Sequence, residues 1–198
     1  MLDAILPEAI RRYSYRSRHL GSLLLTITLL FSLVLTGCSS VGNLRVYRDA
    51  NGAYSFAYPN GMLPVDRGSP RGPAVLLRDL VDDTENVNLM IAPFDRADTL
   101  QSLGSPREVG SRVADKMIAP PGSGRTAHLL NAGQLERAGK TYYVLEYAIE
   151  IGSQHRHDVV ALTINRHQLY TLTASTEESR WPLVKDNFYA VAQSLQVS

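Results

Sequence analysis

Between Arg125 and Ser175 the chain is almost continuous strand pattern, broken only by turns of two or three residues. That spacing leaves few folds open. Tyr143, Leu145, Tyr147, Ile149 and Ile151 alternate with Tyr142, Val144, Glu146, Ala148 and Glu150, the period of two that sends neighbouring side chains to opposite faces of a sheet. Ala138-Gly139-Lys140 turns the chain into this run and Gly152-Ser153 turns it out again. His155 to Ile164 is the next strand, Asn165-Arg166-His167 the next turn, and Gln168 to Ser175 the strand after it. Parallel neighbours need crossovers of a dozen or more residues, so turns this short require an antiparallel meander.

The rest of the chain supplies more strands and two helices. Tyr54, Phe56 and Tyr58 share one face of a run that follows the turn Asp49-Ala-Asn51-Gly52, and Pro59-Asn60-Gly61 ends it. Leu63 to Pro73 reads as a loop, and Ala74–Val81 and Val87–Ile91 as strands. Ser105-Pro106-Arg107-Glu108 has the N-cap, first-turn proline and third-position glutamate of a capping box. Val109, Val113 and Met117 then recur every fourth residue, an apolar stripe, until Pro120-Pro121-Gly122 stops the helix. At the C-terminus Trp181, Val184, Phe188, Val191 and Leu195 form a second stripe, and Pro182 falls in the first turn, where a missing N–H is harmless. Strands, helix, meander, helix is the order of an α+β fold: a central antiparallel β-sheet flanked by helices.

The N-terminus belongs to something else. Arg11, Arg12, Arg16, Arg18 and His19 precede a charge-free run from Leu20 to Thr36, and Gly37-Cys38-Ser39 follows. A basic segment ahead of a short apolar run is an export signal. Leu35-Thr36-Gly37-Cys38 resembles a bacterial lipobox, in which the peptidase cuts before a lipidated cysteine, and Cys38 is the chain's one cysteine. The expected organisation is a lipoprotein signal peptide over residues 1–37, a lipidated tether over 38–48 and a folded domain over 49–198. Two ester-linked acyl chains and an N-acyl chain exceed what stable membrane anchoring needs. Cleavage removes four Arg and two acidic residues, leaving 161 residues with 16 Lys+Arg against 17 Asp+Glu. That balance excludes a polybasic nucleic-acid binder, and a lone cysteine excludes both an intramolecular disulfide and a cysteine-based zinc cluster.

Catalytic patterns are weak. No Ser sits in a G-x-S-x-G elbow, and Gly122-Ser-Gly124 lacks the Lys of a phosphate loop. The acidic pairs Asp82-Asp83 and Glu177-Glu178 read as solvated turns or helix-start charges. His155 and His157, two apart on a strand, share a face with Cα atoms about 6.6–6.8 Å apart. That spacing suits either two imidazoles on one metal, which then needs further ligands, or a solvent-exposed edge. Asp158 points to the opposite face. An enzyme is not expected.

Several segments together resemble the PsbP family of photosystem II: Tyr54-Ser55-Phe56-Ala57-Tyr58-Pro59, Thr84-Glu85-Asn86-Val87, Leu103-Gly104-Ser105-Pro106, Gly139-Lys140-Thr141-Tyr142-Tyr143 with Leu145-Glu146-Tyr147, and Leu169-Tyr170 with Arg180-Trp181. A lipobox ahead of them is similar to the cyanobacterial form, a lumenal lipoprotein of the thylakoid. The resemblance implies an α/β/α sandwich and a monomer held to the membrane through lipid at Cys38. It implies contact with lumenal subunits or assembly intermediates of photosystem II, in assembling or stabilising the oxygen-evolving centre. An extracytoplasmic lipoprotein of the same fold, binding a small ligand or metal without photosystem contact, is the alternative. No cofactor is required. The resemblance also implies a metal position, for zinc, manganese or calcium, at His157 and Glu178, with His155 nearby.

Overall fold

The computed structural model describes residues 43–66, 72–97 and 99–198. Cys38, the expected lipidation position, and the apolar run before it lie outside the described residues. The fold is that of the unit Ser40–Ser198. Its elements are strands β1 (Leu44–Arg48), β2 (Tyr54–Pro59), β3 (Met62–Pro64), β4 (Val75–Asp79) and β5 (Asn86–Pro93), then helix α1 (Pro106–Val113). Four long strands follow: β6 (Arg125–Arg137), β7 (Lys140–Ile151), β8 (Gln154–Asn165) and β9 (Gln168–Glu177). Helix α2 (Trp181–Ser194) and the short β10 (Gln196–Val197) end the chain.

The meander forms as its turns demand, with β6 to β9 paired in sequence. β5 adds antiparallel to β9, and β4 and β3 follow, giving seven strands in the order β3-β4-β5-β9-β8-β7-β6. The turns use the left-handed backbone that tight hairpins require, at Ala138 and Gly139 (φ 51° and 73°) and at Arg166 and His167 (φ 49° and 58°).

Period two sends the two tyrosines of Tyr142-Tyr143 into different cores. On one face Tyr142, Val144, Val159, Ala161 and Leu172 pack against Trp181, Phe188 and Val191 of α2. The small sheet β1-β2-β10 contributes Tyr54, Phe56, Tyr58 and Val197 to the same core. On the other face Tyr143, Leu145, Tyr147, Val160 and Leu162 pack against Leu100, Val109 and Val113. The result is the α/β/α arrangement of an α+β fold. α1 starts with the capping box: Ser105 Oγ accepts from Glu108 N–H, and the Glu108 carboxylate accepts from Ser105 N–H. Two phenols fix its distance from the sheet. Tyr143 Oη donates to the Gly104 carbonyl (2.8 Å) and Tyr147 Oη to the Gly110 carbonyl (2.9 Å).

Three features differ from the sequence expectations. Leu44–Arg48, expected within the tether, is a strand paired with β2, and Tyr47 stacks on Phe56 with centroids 5.2 Å apart. Part of the expected Leu63–Pro73 loop, with Met62, forms β3, whose Met62 is fully buried. Met117, expected on the buried stripe of α1, is half exposed. The helix changes at Ala114–Ile118 to a π turn, with Ala119 N–H bonded to the Ala114 carbonyl at 2.8 Å, and the wider turn carries Met117 off the stripe.

Candidate functional site

His157 projects from β8 on the α2 face, toward the first turn of the helix. β8 lies between β7 and β9, so it is an interior strand, and the solvent-exposed edge considered from the sequence is wrong for His157: its side chain is 2% exposed. The ring lies flat on the Trp181 indole, with centroids 3.7 Å apart and planes within 10°. Both ring nitrogens face carboxylates: Nδ1 is 2.8 Å from Glu178 Oε2 and Nε2 is 2.9 Å from Glu146 Oε1.

Each partner arrives by a different route. Glu146 pairs in register with Val159, and His157 with Ala148, so the two side chains are diagonal neighbours on one face of β7–β8. Glu178 starts the short 3-10 turn Glu178–Arg180 that joins β9 to α2. The Glu146 side chain is 11% exposed and the Glu178 side chain 47%. The second Glu146 oxygen accepts from Tyr189 Oη on α2 (2.6 Å), and Asn131 Nδ2 of β6 donates to that phenol (3.2 Å). Burial first, and then the bond to Glu146, push the Tyr189 phenol above its ordinary value. The chain Glu178–His157–Glu146–Tyr189–Asn131 therefore ties β8, β7, β6 and α2 together.

A neighbouring cluster fastens the same end of the molecule. Arg180 Nε lies 2.7 Å from Asp82 Oδ2 and 2.6 Å from Glu85 Oε1, joining the β4–β5 turn to the start of α2. Hydrogen bonds from Thr84 first, and then the Arg180 charge, hold the Asp82 carboxyl below its usual range. The Glu85 hydrogen bond raises Arg180 further.

The arrangement accounts for protons better than for a metal. If both carboxylates are ionised, both ring nitrogens must carry hydrogen; a neutral ring needs one carboxyl protonated. One imidazole cannot offer two carboxylates to the same ion, because its nitrogens point apart. His155 stays out of the cluster: it is 62% exposed and its near neighbour is Glu150, at 4.0 Å. Opposite His157 in register stands Thr176, whose buried hydroxyl has no hydrogen-bond partner among the described residues, but a neutral hydroxyl is no ordinary zinc ligand. Among the described residues no group of three or more His, Cys, Asp or Glu side chains is placed to hold a metal ion. His157 and Glu178 thus meet, but as two donors without the third and fourth that a closed zinc site takes.

Glu146, Tyr189 and Arg180 are the members of this end that sequence reasoning missed as site residues. Glu146 carried a signal. It is an acid at a core-facing position between Val144 and Ala148, and such a residue needs a partner.

Comparison with known proteins places this architecture. The PsbP family model matches residues 42–197. A curated relative, CyanoP of Thermosynechococcus vestitus, is 36% identical over 177 residues, covering 87% of this chain and 96% of its own length. CyanoP of Synechocystis sp. is 38% identical over 184 residues, covering 91% and 98%. The solution structure of the Synechocystis protein superposes with a TM-score of 0.65 at 38% identity, over 83% of this chain and 99% of that one.

Proposed function

The chain belongs to the PsbP family, and on that premise we propose that it is a lipid-anchored accessory protein on the lumenal side of the thylakoid membrane. It binds lumenal subunits or assembly intermediates of photosystem II and assists assembly or stability of the oxygen-evolving centre. The observation that carries this reading is the family match over 42–197 immediately behind Gly37-Cys38. Lipid at Cys38 confines the domain to the membrane surface and raises its effective concentration there. A near-neutral domain gains little from long-range charge attraction, so confinement supplies what steering does not.

The role is binding, and the chain of hydrogen bonds around His157 is its structural latch. It keeps α2 and the β9–α2 turn in one position on the sheet, which gives a partner a rigid surface at that end. A zinc, manganese or calcium ion at His157 and Glu178 would have to break their mutual hydrogen bond and take its remaining donors from water. Calorimetry with each ion on the wild type and on H157A tests this. Heat that depends on His157 supports an ion site there; identical traces leave the latch as the whole role of the pair.

The test of the main reading is a tagged pull-down from thylakoids in mild detergent, with the Cys38→Ser chain as control. The expected result is recovery of immature or mature photosystem II with the wild type and loss of membrane retention with C38S. Absence of every photosystem II species from the wild-type eluate overturns the partner. Unchanged membrane retention of C38S overturns the anchor.

A further inference from the structure

The face of the sheet that carries α1 is less completely covered than the opposite one. Between α1, the connection from β5 and the β8–β9 hairpin lies a cavity of about 340 Å³, within the range of small-molecule sites. Buried Leu100, Val109 and Leu162 line it together with Phe94, Leu103 and Leu169. Among the described residues no carboxylate lines it, whereas three cations do: Arg96, Arg112 and Lys116. Arg112 is engaged, its guanidinium donating to the Leu103 carbonyl. The side chains of Arg96 and Lys116 make no hydrogen bond or ion pair among the described residues.

The π turn is part of this site. It holds Lys116 and Met117 at the cavity, and it takes Met117 off the apolar stripe that a regular helix would have laid on the sheet. π turns are rare and concentrate at functional sites. Here the departure from α-helix leaves apolar wall uncovered and sets a cation beside it.

We propose that this cavity binds a single-chain amphipathic anion, with an aliphatic tail between α1 and the sheet and a carboxylate or phosphate head against Arg96 and Lys116. The walls select the tail. They are side-chain carbon, so a peptide entering the cavity would bury amide groups with nothing to bond, whereas a hydrocarbon chain loses only water. The cations select the head. A neutral amphiphile would fill the same walls and leave both charges as they are. The inference stands on the cavity alone and is independent of any photosystem contact.

The test uses the full chain in nanodiscs of phosphatidylcholine and three photoreactive probes with the same diazirine-bearing twelve-carbon tail, ending in carboxylate, phosphate or alcohol. Peptide mapping reads the site of labelling, so partition of the probes into lipid does not obscure it. The expected result is labelling of peptides within residues 94–117 by one or both anions, about tenfold above the alcohol, a difference of about 1.4 kcal/mol. In the double variant R96Q/K116Q, whose changes are both at the rim, anion labelling should fall to the level of the alcohol. L169W, which fills the cavity and keeps the charges, should reduce labelling by all three probes. Labelling by phosphate alone assigns the head to a lipid phosphate, and by carboxylate alone to a free acid. Equal labelling by the alcohol, labelling elsewhere in the domain, or anion labelling unchanged in R96Q/K116Q overturns the proposal.

Discussion

The two faces of the seven-stranded sheet differ in the core they bury: the α2 face holds the larger one, rich in aromatic rings, and the α1 face a smaller one with only Tyr143 and Tyr147 as buried aromatics among the described residues. On the α2 face a buried imidazole has both nitrogens bonded and its ring stacked, and the buried carboxylate beside it is bonded through both oxygens. On the α1 face the helix is short and ends in a π turn, leaving the apolar cavity and, beside it, a polar one of about 550 Å³. Val113 and Met117 line both. Arg125, Arg156, Asp158 and Ser175 are among the residues around the polar cavity. A helix of four turns, α2, can close a face; a helix of two turns cannot. The contrast teaches that rigidity and reception are divided between the faces: one is covered by a long helix that the hydrogen bonds around His157 hold in place, and the other keeps room.

The largest effects should come from opening the locked face. Removing His157 leaves Glu146 buried with one partner fewer and strips the Trp181 ring of its stack. H157A is expected to cost about 2–3 kcal/mol, the range for leaving a buried hydrogen-bonding group short of its partner, with the lost ring stack in addition, and W181A about 3–5 kcal/mol through lost core volume. E178A is expected to cost less than about 1 kcal/mol, because that carboxylate is half exposed and screened by water. Urea unfolding of the three variants measures the ladder. If E178A costs as much as H157A, the latch is carried by its exposed end and the picture of a sealed face fails.

On the α1 face the expected costs are smaller. Y147F removes the hydroxyl that donates to the Gly110 carbonyl and should cost about 1 kcal/mol. S105A removes the cap of α1 and should also cost about 1 kcal/mol. Both are read in the same urea series. They also sharpen the comparison through hydrogen exchange. Each should raise exchange in α1 and leave α2 unchanged, since different side chains hold the two helices. Faster exchange in α2 would mean that the faces are coupled through the sheet.

Most of the fold was legible because its signals are local. A period of two between turns of two or three residues can form only an antiparallel meander, and Ser105-Pro106-Glu108 writes a helix start into four positions. β1, β3 and β10 were not legible. Strands of two to five residues at a sheet margin show too few positions for a period, and they form because Tyr47, Met62 and Val197 find places in the core. The site divides in the same way. His157 and Glu178 were named through family resemblance, but their state depends on Glu146, eleven residues before His157 in sequence, and on which strand lies inside the sheet. Once the Gly152-Ser153 turn sets the register, the diagonal from His157 to Glu146 follows. The burial that makes this diagonal matter is a property of the assembled layers. The cavity beside α1 was invisible for a related reason: Val109, Val113 and Met117 promise a closed stripe, and the π turn that breaks it has no mark in the sequence.

The smallest expected effect concerns Asp158, an acid of the open face. Burial pushes the Asp158 carboxyl above its ordinary value; a hydrogen bond from Ser175 and the Arg156 charge oppose the shift without cancelling it. The native state therefore holds this proton more tightly than the unfolded chain does. Its stabilising contribution is full below the ordinary carboxylate value of 3.8 and is lost as pH rises through the raised native value. D158N keeps an oxygen to accept from Ser175 and cannot ionise. Thermal melts of the two proteins across acid to neutral pH should show the variant equal or slightly less stable in acid and more stable near neutrality. A variant less stable at neutral pH would show that the ionised carboxylate gains more from Arg156 than burial takes away. The polar cavity would then be locked like the α2 face, and the division between the faces would shrink to the apolar cavity alone.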